Sequence, residues 1–338
     1  MKQSGLRGIH ARRLPLRWGA CLFAAMVGMG WLAAADEPGG KDQAKPAEKP
    51  AEKPLPLPFQ EMDGIRCWDQ VRFNPWIRAE VKALRERGEL VPKEKLLKEP
   101  LPDKVSAPLP KVAAAEKPLT PVEIADRLRA STVLVIALNA KGDDNFGTGF
   151  AVSGDLIVTN WHVFGLHPEL PDIVAVDEAG KVMPVTEVVA CQPAEDIVVL
   201  RIRGNLPALP IAKKPAKQGE SLWQMGQTHM ALWSFSEGMV RRYCVENFVP
   251  DGAKKSVDRV VMDISHKVSK GSSGSAMVNS RCEVSGVYFR SRWYYQDESN
   301  RISAGDGNSL VLKDRYVLFS RNMCIPLGTL RSVLGLDG

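Results

Sequence analysis

Beyond its first 35 residues the chain has almost no excess of charge. The formal net charge is +6 over 338 residues, but Lys2, Arg7, Arg12, Arg13 and Arg17 supply five cations with no Asp or Glu among them, and their removal leaves +1. A field that weak excludes general attraction to polyanions, so no nucleic-acid partner is expected. Zinc-type cysteine spacing is also missing, and no metal is expected. Cysteine itself is scarce: setting the first 35 residues aside leaves Cys67, Cys191, Cys244, Cys282 and Cys324. In an exported chain an odd count leaves at least one thiol free or paired with another molecule, and the sequence assigns no pair.

The basic start predicts export. The apolar run Trp18–Leu32 and then Ala33, Ala34 and Ala35 follow it, the pattern of a signal peptide cleaved before Asp36. The expected location is therefore the periplasm or the cell exterior. An uncleaved anchor is the competing reading, because the run approaches the length that spans a bilayer, and membrane association is expected only then. Cys21 opens the run instead of closing it, which argues against a lipoprotein. Arg12 and Arg13 lack the flanks of a twin-arginine signal.

After the leader, Asp36–Pro58 is dominated by Pro, Lys, Ala and Glu and predicts a disordered tether. Residues 59–100 differ. Trp68, Phe73 and Trp76 are followed by Ile77, Val81 and Leu84 at helical spacing, ending at Gly88, which predicts a short helical segment with no legible function. Residues 101–119 return to linker composition. Thr120, Pro121 and Glu123 then form a capping box, predicting a helix to about Ala130. From Val133 onward, short β-rich runs alternate with Gly, Pro, Asp and Asn, and a last helix is expected over 327–334. The fold class is all-β, a barrel or sandwich architecture over 120–338.

Three segments carry chemistry. Leu156–Thr159 leads into Asn160, Trp161 and His162; Asp196 opens the apolar run Ile197–Ile202; Ser273 sits in Gly271-Ser272-Ser273-Gly274-Ser275. A serine hydroxyl is a poor nucleophile at neutral pH and needs an imidazole to take its proton. Histidine suits that task, and a carboxylate fixes its tautomer and stabilises the imidazolium. Glycines beside Ser273 let the N–H groups of Gly271 and Ser273 point at one oxyanion. Each segment alone has an ordinary structural reading as a turn, cap or flexible loop. Their order, each joined to its strand, favours a nucleophile–base–orienter set. No Gly-x-Ser-x-Gly strand–turn–helix elbow is present, which disfavours an esterase reading.

These blocks resemble those of trypsin-like (chymotrypsin-fold) serine proteases, and of the HtrA (Deg) group in particular. Gly147–Val163 is similar to the histidine block, Asp196–Ile202 to the aspartate strand, and Gly271–Val278 to the Gly-x-Ser-Gly nucleophile loop. Phe319–Leu330 is similar to the closing strand and helix. The resemblance covers about 120–338. It implies two six-stranded antiparallel β-barrels, peptide-bond hydrolysis through an acyl-enzyme, protein or peptide substrates and no cofactor. Carried over residue by residue, His162 is the base, Asp196 the orienter and Ser273 the nucleophile, with the Gly271 and Ser273 amides as oxyanion donors. A protease-fold binding or adaptor protein is the alternative.

Ser275 stands where the HtrA group has glycine, although glutamyl-endopeptidase-like relatives tolerate serine there. No PDZ domain is expected, because the sequence ends with the resembling region, and the oligomeric state stays open. By analogy, Lys267, Val287 and Tyr288 are expected to contact substrate. Lys267 with Arg290 or Arg292 offers a preference for acidic side chains, against the simpler reading of a solvated charge run. His167, His229 and His266 are expected to be structural.

Overall fold

The computed structural model describes residues 55–249, 255–297, 302–305 and 315–337. The leader call and most of the tether call lie outside them. A hairpin of β1 (Phe59–Met62) and β2 (Ile65–Trp68) precedes α1 (Gln70–Glu86), whose first amides are capped by the Asp69 carboxylate. A single turn, α2 (Lys93–Leu96), follows. The predicted capping box is present at α3 (Pro121–Ser131), where the Thr120 hydroxyl and the Glu123 carboxylate cap each other's backbone.

The first barrel contains β3 (Thr132–Leu138), β4 (Asp144–Ala151), β5 (Leu156–Thr159), β6 (Asp172–Val176), β7 (Val182–Gln192) and β8 (Ile197–Ile202), closed in the order β3-β4-β5-β8-β7-β6. The one-turn helix α4 (Trp161–Phe164) follows β5. Every residue of β3 is buried, for a reason visible in its alternation. Val133, Val135 and Ala137 face the barrel core, while Leu134, Ile136 and Leu138 meet Phe73, Trp76, Ile77, Val81 and Leu84 of α1. The helix thus covers what would otherwise be an exposed apolar sheet face, extended by Val174 and Val176 of β6. Ion pairs Arg78–Asp144 and Arg85–Asp172 flank the contact.

The second barrel takes β9 (Ser221–Gly226), β10 (Ser234–Phe248), β11 (Val257–Ile264), β12 (Ala276–Val278), β13 (Val284–Asp297) and β15 (Arg315–Pro326). Their order is β12-β9-β10-β11-β15-β13, and the β12–β13 pairing completes the ring, with β14 (Ile302–Gly305) added beyond β13. The closing helix α5 (Leu327–Val333) docks last. Phe150, Val158 and Val199 of the first barrel share one apolar cluster with Val261, Ala276 and Val287 of the second, which seals the barrels against each other. The two six-stranded barrels implied by the resemblance are therefore the fold.

The linker composition of 101–119 misleads. The segment is a strap with defined backbone partners in both barrels: Cys191 N–H donates to Pro102 O at 2.7 Å, Val105 N–H to Val333 O at 2.8 Å, and Leu119 N–H to Ser280 O at 2.7 Å. All five described cysteines are free thiols.

Candidate active site

Asp196 follows a short 3₁₀ turn and takes a left-handed conformation (φ 57°, ψ 41°), sparsely populated for any residue but glycine. What holds it there is the segment opening α4. The Asp196 carbonyl accepts from Asn160 Nδ2 at 2.8 Å and from Trp161 N–H at 3.2 Å. Its carboxylate accepts from His162 N–H at 2.9 Å through Oδ1 and meets His162 Nδ1 at 2.8 Å through Oδ2. The carboxylate is buried, so the imidazole ring is oriented by a pair mostly shielded from water.

Ser273 comes from the other barrel. Its carbonyl accepts from Thr148 N–H at 2.7 Å, and Gly274 N–H donates to Tyr288 O at 2.8 Å, so β4 and β13 grip the loop around Ser273 from both sides. Gly274 has φ +89°, and a Cβ there would strike Thr148 O, so only glycine fits. Thr148 also donates from its hydroxyl to Gly271 O at 2.8 Å and accepts from Gln227 N–H at 3.1 Å. Thr148 lies within the histidine block Gly147–Val163 with no role legible from sequence; the one signal is its hydroxyl between Gly147 and Gly149.

The turn Ser269–Ser272 is closed by Ser272 N–H donating to Ser269 O at 3.0 Å, with Gly271 at φ +94° in the position where a type II turn demands glycine. The Lys270 carbonyl accepts from His229 N–H at 2.7 Å. In a trans peptide the next N–H points the opposite way, so the Gly271 amide is turned away from His229. Ser275 is buried, its hydroxyl donating to Ser272 O at 2.5 Å; this departure from glycine is absorbed inside the loop.

His162, Ser273 and Gly271 line one cavity of about 430 Å³ between the barrels. Tyr288, Arg290 and Ser291 also line it. Tyr288 Oη and Ser291 Oγ lie 2.6 Å apart, and Ser291 donates to Asn322 Oδ1 at 2.6 Å. The other specificity calls fall elsewhere. Lys267 is exposed and not among the lining residues, because neighbouring His266 and Val268 take the inward positions. Val287 is fully buried in the inter-barrel core, since strand alternation turns it away from the cleft. Arg292 pairs with Glu246 at 3.3 Å.

His266 is buried with Nε2 against Leu222 O at 3.0 Å, and burial pushes its pKa down to about 4. His167 sits 3.1 Å from Glu169 and lines the cavity rim. Burial pushes the Cys191 thiol up to about 12 and the Cys282 thiol up to about 11, which leaves neither as a competing thiolate.

Serine protease Rv3671c of Mycobacterium tuberculosis H37Rv, and its counterpart MT3772 in strain CDC 1551, are 30% identical over 147 residues, 42% of this chain and 35% of theirs. The matched region therefore spans about a third of the length of those relatives. The crystal structure of the active form of the Rv3671c protease superposes with a TM-score of 0.50 at 20% identity, covering 69% of this chain and 94% of that one, a likeness of fold. Residues 147–287 match the model of the trypsin-like peptidase domain, about two fifths of the chain.

Proposed function

We propose that the chain is an exported serine endopeptidase. The observation that carries this reading is the meeting of Asp196-oriented His162, from one barrel, with Ser273 and the glycine turn of Gly271, from the other, on a single cavity. The match of 147–287 to the trypsin-like peptidase domain supports it. Export rests on the leader sequence alone.

The chemistry follows from the groups present. His162 takes the Ser273 proton as Oγ bonds to the scissile carbonyl carbon, and Asp196 stabilises the imidazolium that forms. The carbonyl oxygen gains the negative charge, which the Gly271 and Ser273 amides receive. As the C–N bond breaks, the imidazolium returns the proton to the leaving amine, leaving Ser273 acylated. Water then repeats the sequence: His162 accepts its proton, hydroxide adds to the acyl carbon, and the acid leaves as Ser273 regains a proton.

A fluorophosphonate probe with casein digestion tests this, run beside Ser273→Ala. Labelling and digestion that vanish in the variant establish the mechanism. Failure of the folded wild type to label would overturn it and move the binding-protein reading forward.

A further inference from the structure

The loop Gln227–Trp233, between β9 and β10, has an unusual backbone. His229, Met230 and Trp233 all have positive φ, at 46°, 63° and 51°. Non-glycine residues hold such angles only where the surroundings over-determine them. One side of the loop grips the oxyanion turn at three successive places. His229 Nε2 lies 2.8 Å from Ser269 Oγ, His229 N–H donates to Lys270 O at 2.7 Å, and Thr228 Oγ1 lies 2.6 Å from Ser272 Oγ. The backbone between these residues is the one that sets the direction of the Gly271 amide.

The other side of the loop meets the N-terminal hairpin and helix. Trp68, at the end of β2, stacks on Trp233 with ring centroids 4.5 Å apart and planes inclined by 23°. Phe59 and Phe73 hold Trp68 in turn, at 5.1 Å and 6.0 Å. Met230 and Leu232 pack into the same apolar cluster as Phe73, Trp76 and Ile77 of α1. Trp233 is also tied within the loop, its N–H donating to Gln227 Oε1 at 2.8 Å. A continuous contact therefore runs from Phe59–Glu86 through the strained loop to the oxyanion turn.

We propose that the apolar contacts of the segment 59–86 buttress the Gly271 turn, with Trp68 a positioning residue that acts through Trp233 and His229. The inference rests on the reading of Ser273 as nucleophile. A segment whose sequence showed only a helix of no legible purpose thereby gains one: it fixes a loop too strained to hold itself.

The test compares Trp68→Ala, Trp68→Phe and the control Val71→Ala, whose side chain lies on the exposed face of α1. Steady-state turnover of a peptide substrate is measured with hydrogen exchange of peptides covering 227–233 and 269–274. Trp68→Ala is expected to lower kcat about tenfold or more while KM changes by less than about twofold, part of the hundredfold that loss of a whole oxyanion donor costs. Exchange is expected to rise in both peptides and not in β3 or β8. Trp68→Phe, which restores a stacking ring, recovers most of both. Unchanged kcat and exchange in Trp68→Ala, or exchange rising evenly through both barrels, would overturn the proposal. Exchange is read without turnover, so an inactive wild type would count against the protease reading while the loop coupling is still decided.

Discussion

Thr148, on a strand of the first barrel, donates its hydroxyl to the carbonyl of Gly271 in the second at 2.8 Å. The same oxygen accepts from Gln227 N–H, and the Thr148 amide holds the Ser273 carbonyl. One fully buried residue thus fixes both Ser273 and the turn beside it. Thr148→Val keeps the shape but leaves Gly271 O and Gln227 N–H without partners, which costs about 2 kcal/mol in stability. The expected result is a lower midpoint in urea and kcat reduced about tenfold or more, both recovered by Thr148→Ser. A Val variant with full turnover would show that backbone bonds alone position Ser273.

Asp196→Asn isolates tautomer control from backbone effects. Asparagine tolerates the left-handed conformation seen at Asp196, so the turn survives. Its amide oxygen can still accept from His162 N–H, but its NH₂ then faces Nδ1, which must become an acceptor. The ring proton moves to Nε2, and the ring can no longer take the proton of Ser273. A loss of roughly 10⁴ in kcat is expected with thermal stability little changed. A loss under about tenfold would mean that Asp196 is not the orienter.

The candidate site could be picked out in the sequence because His162, Asp196 and Ser273 each lie in a short local pattern: a strand running into a polar residue, or glycines around a serine. Val133–Leu138 was legible as a strand but not as one buried on both faces, since its cover comes from α1, far upstream. The 15-residue strand β10 carries no such local signal. All of its residues but Val240 and Phe248 are half-buried or exposed and lack apolar alternation, so it is held by backbone ladders to β9 and β11. Lys267 was misplaced because a one-residue change along an extended segment reverses facing, and sequence gives no register there.

Phe73→Ala tests whether α1 is an integral layer. Phe73 is fully buried, seated between the α1 backbone and the outer faces of β3 and β6. Removing a buried phenyl ring costs about 3–5 kcal/mol. A single cooperative unfolding transition, displaced to lower urea by that amount, is expected. If the barrels instead unfolded at their original midpoint after an early separate loss of helix signal, α1 would be an independent appendage.

His266 gives the acid limb of stability. Its ring is fully buried, and the native pKa is pushed down from 6.5 to about 4. Below pH 6.5 the unfolded chain therefore binds a proton that the native state refuses until about pH 4. The contribution favouring the native state is complete above pH 6.5 and is lost as pH falls through that window. At about 1.4 kcal/mol per unit, roughly 2–3 kcal/mol should disappear between neutral pH and pH 4.5. Carboxylates titrate over the same range, so the quantity to measure is the difference between wild type and His266→Gln in urea unfolding at both pH values. The wild type is expected to lose about 2–3 kcal/mol more than the variant. Equal losses would mean that the imidazole gains its proton in the native state as readily as in the unfolded chain, against its burial.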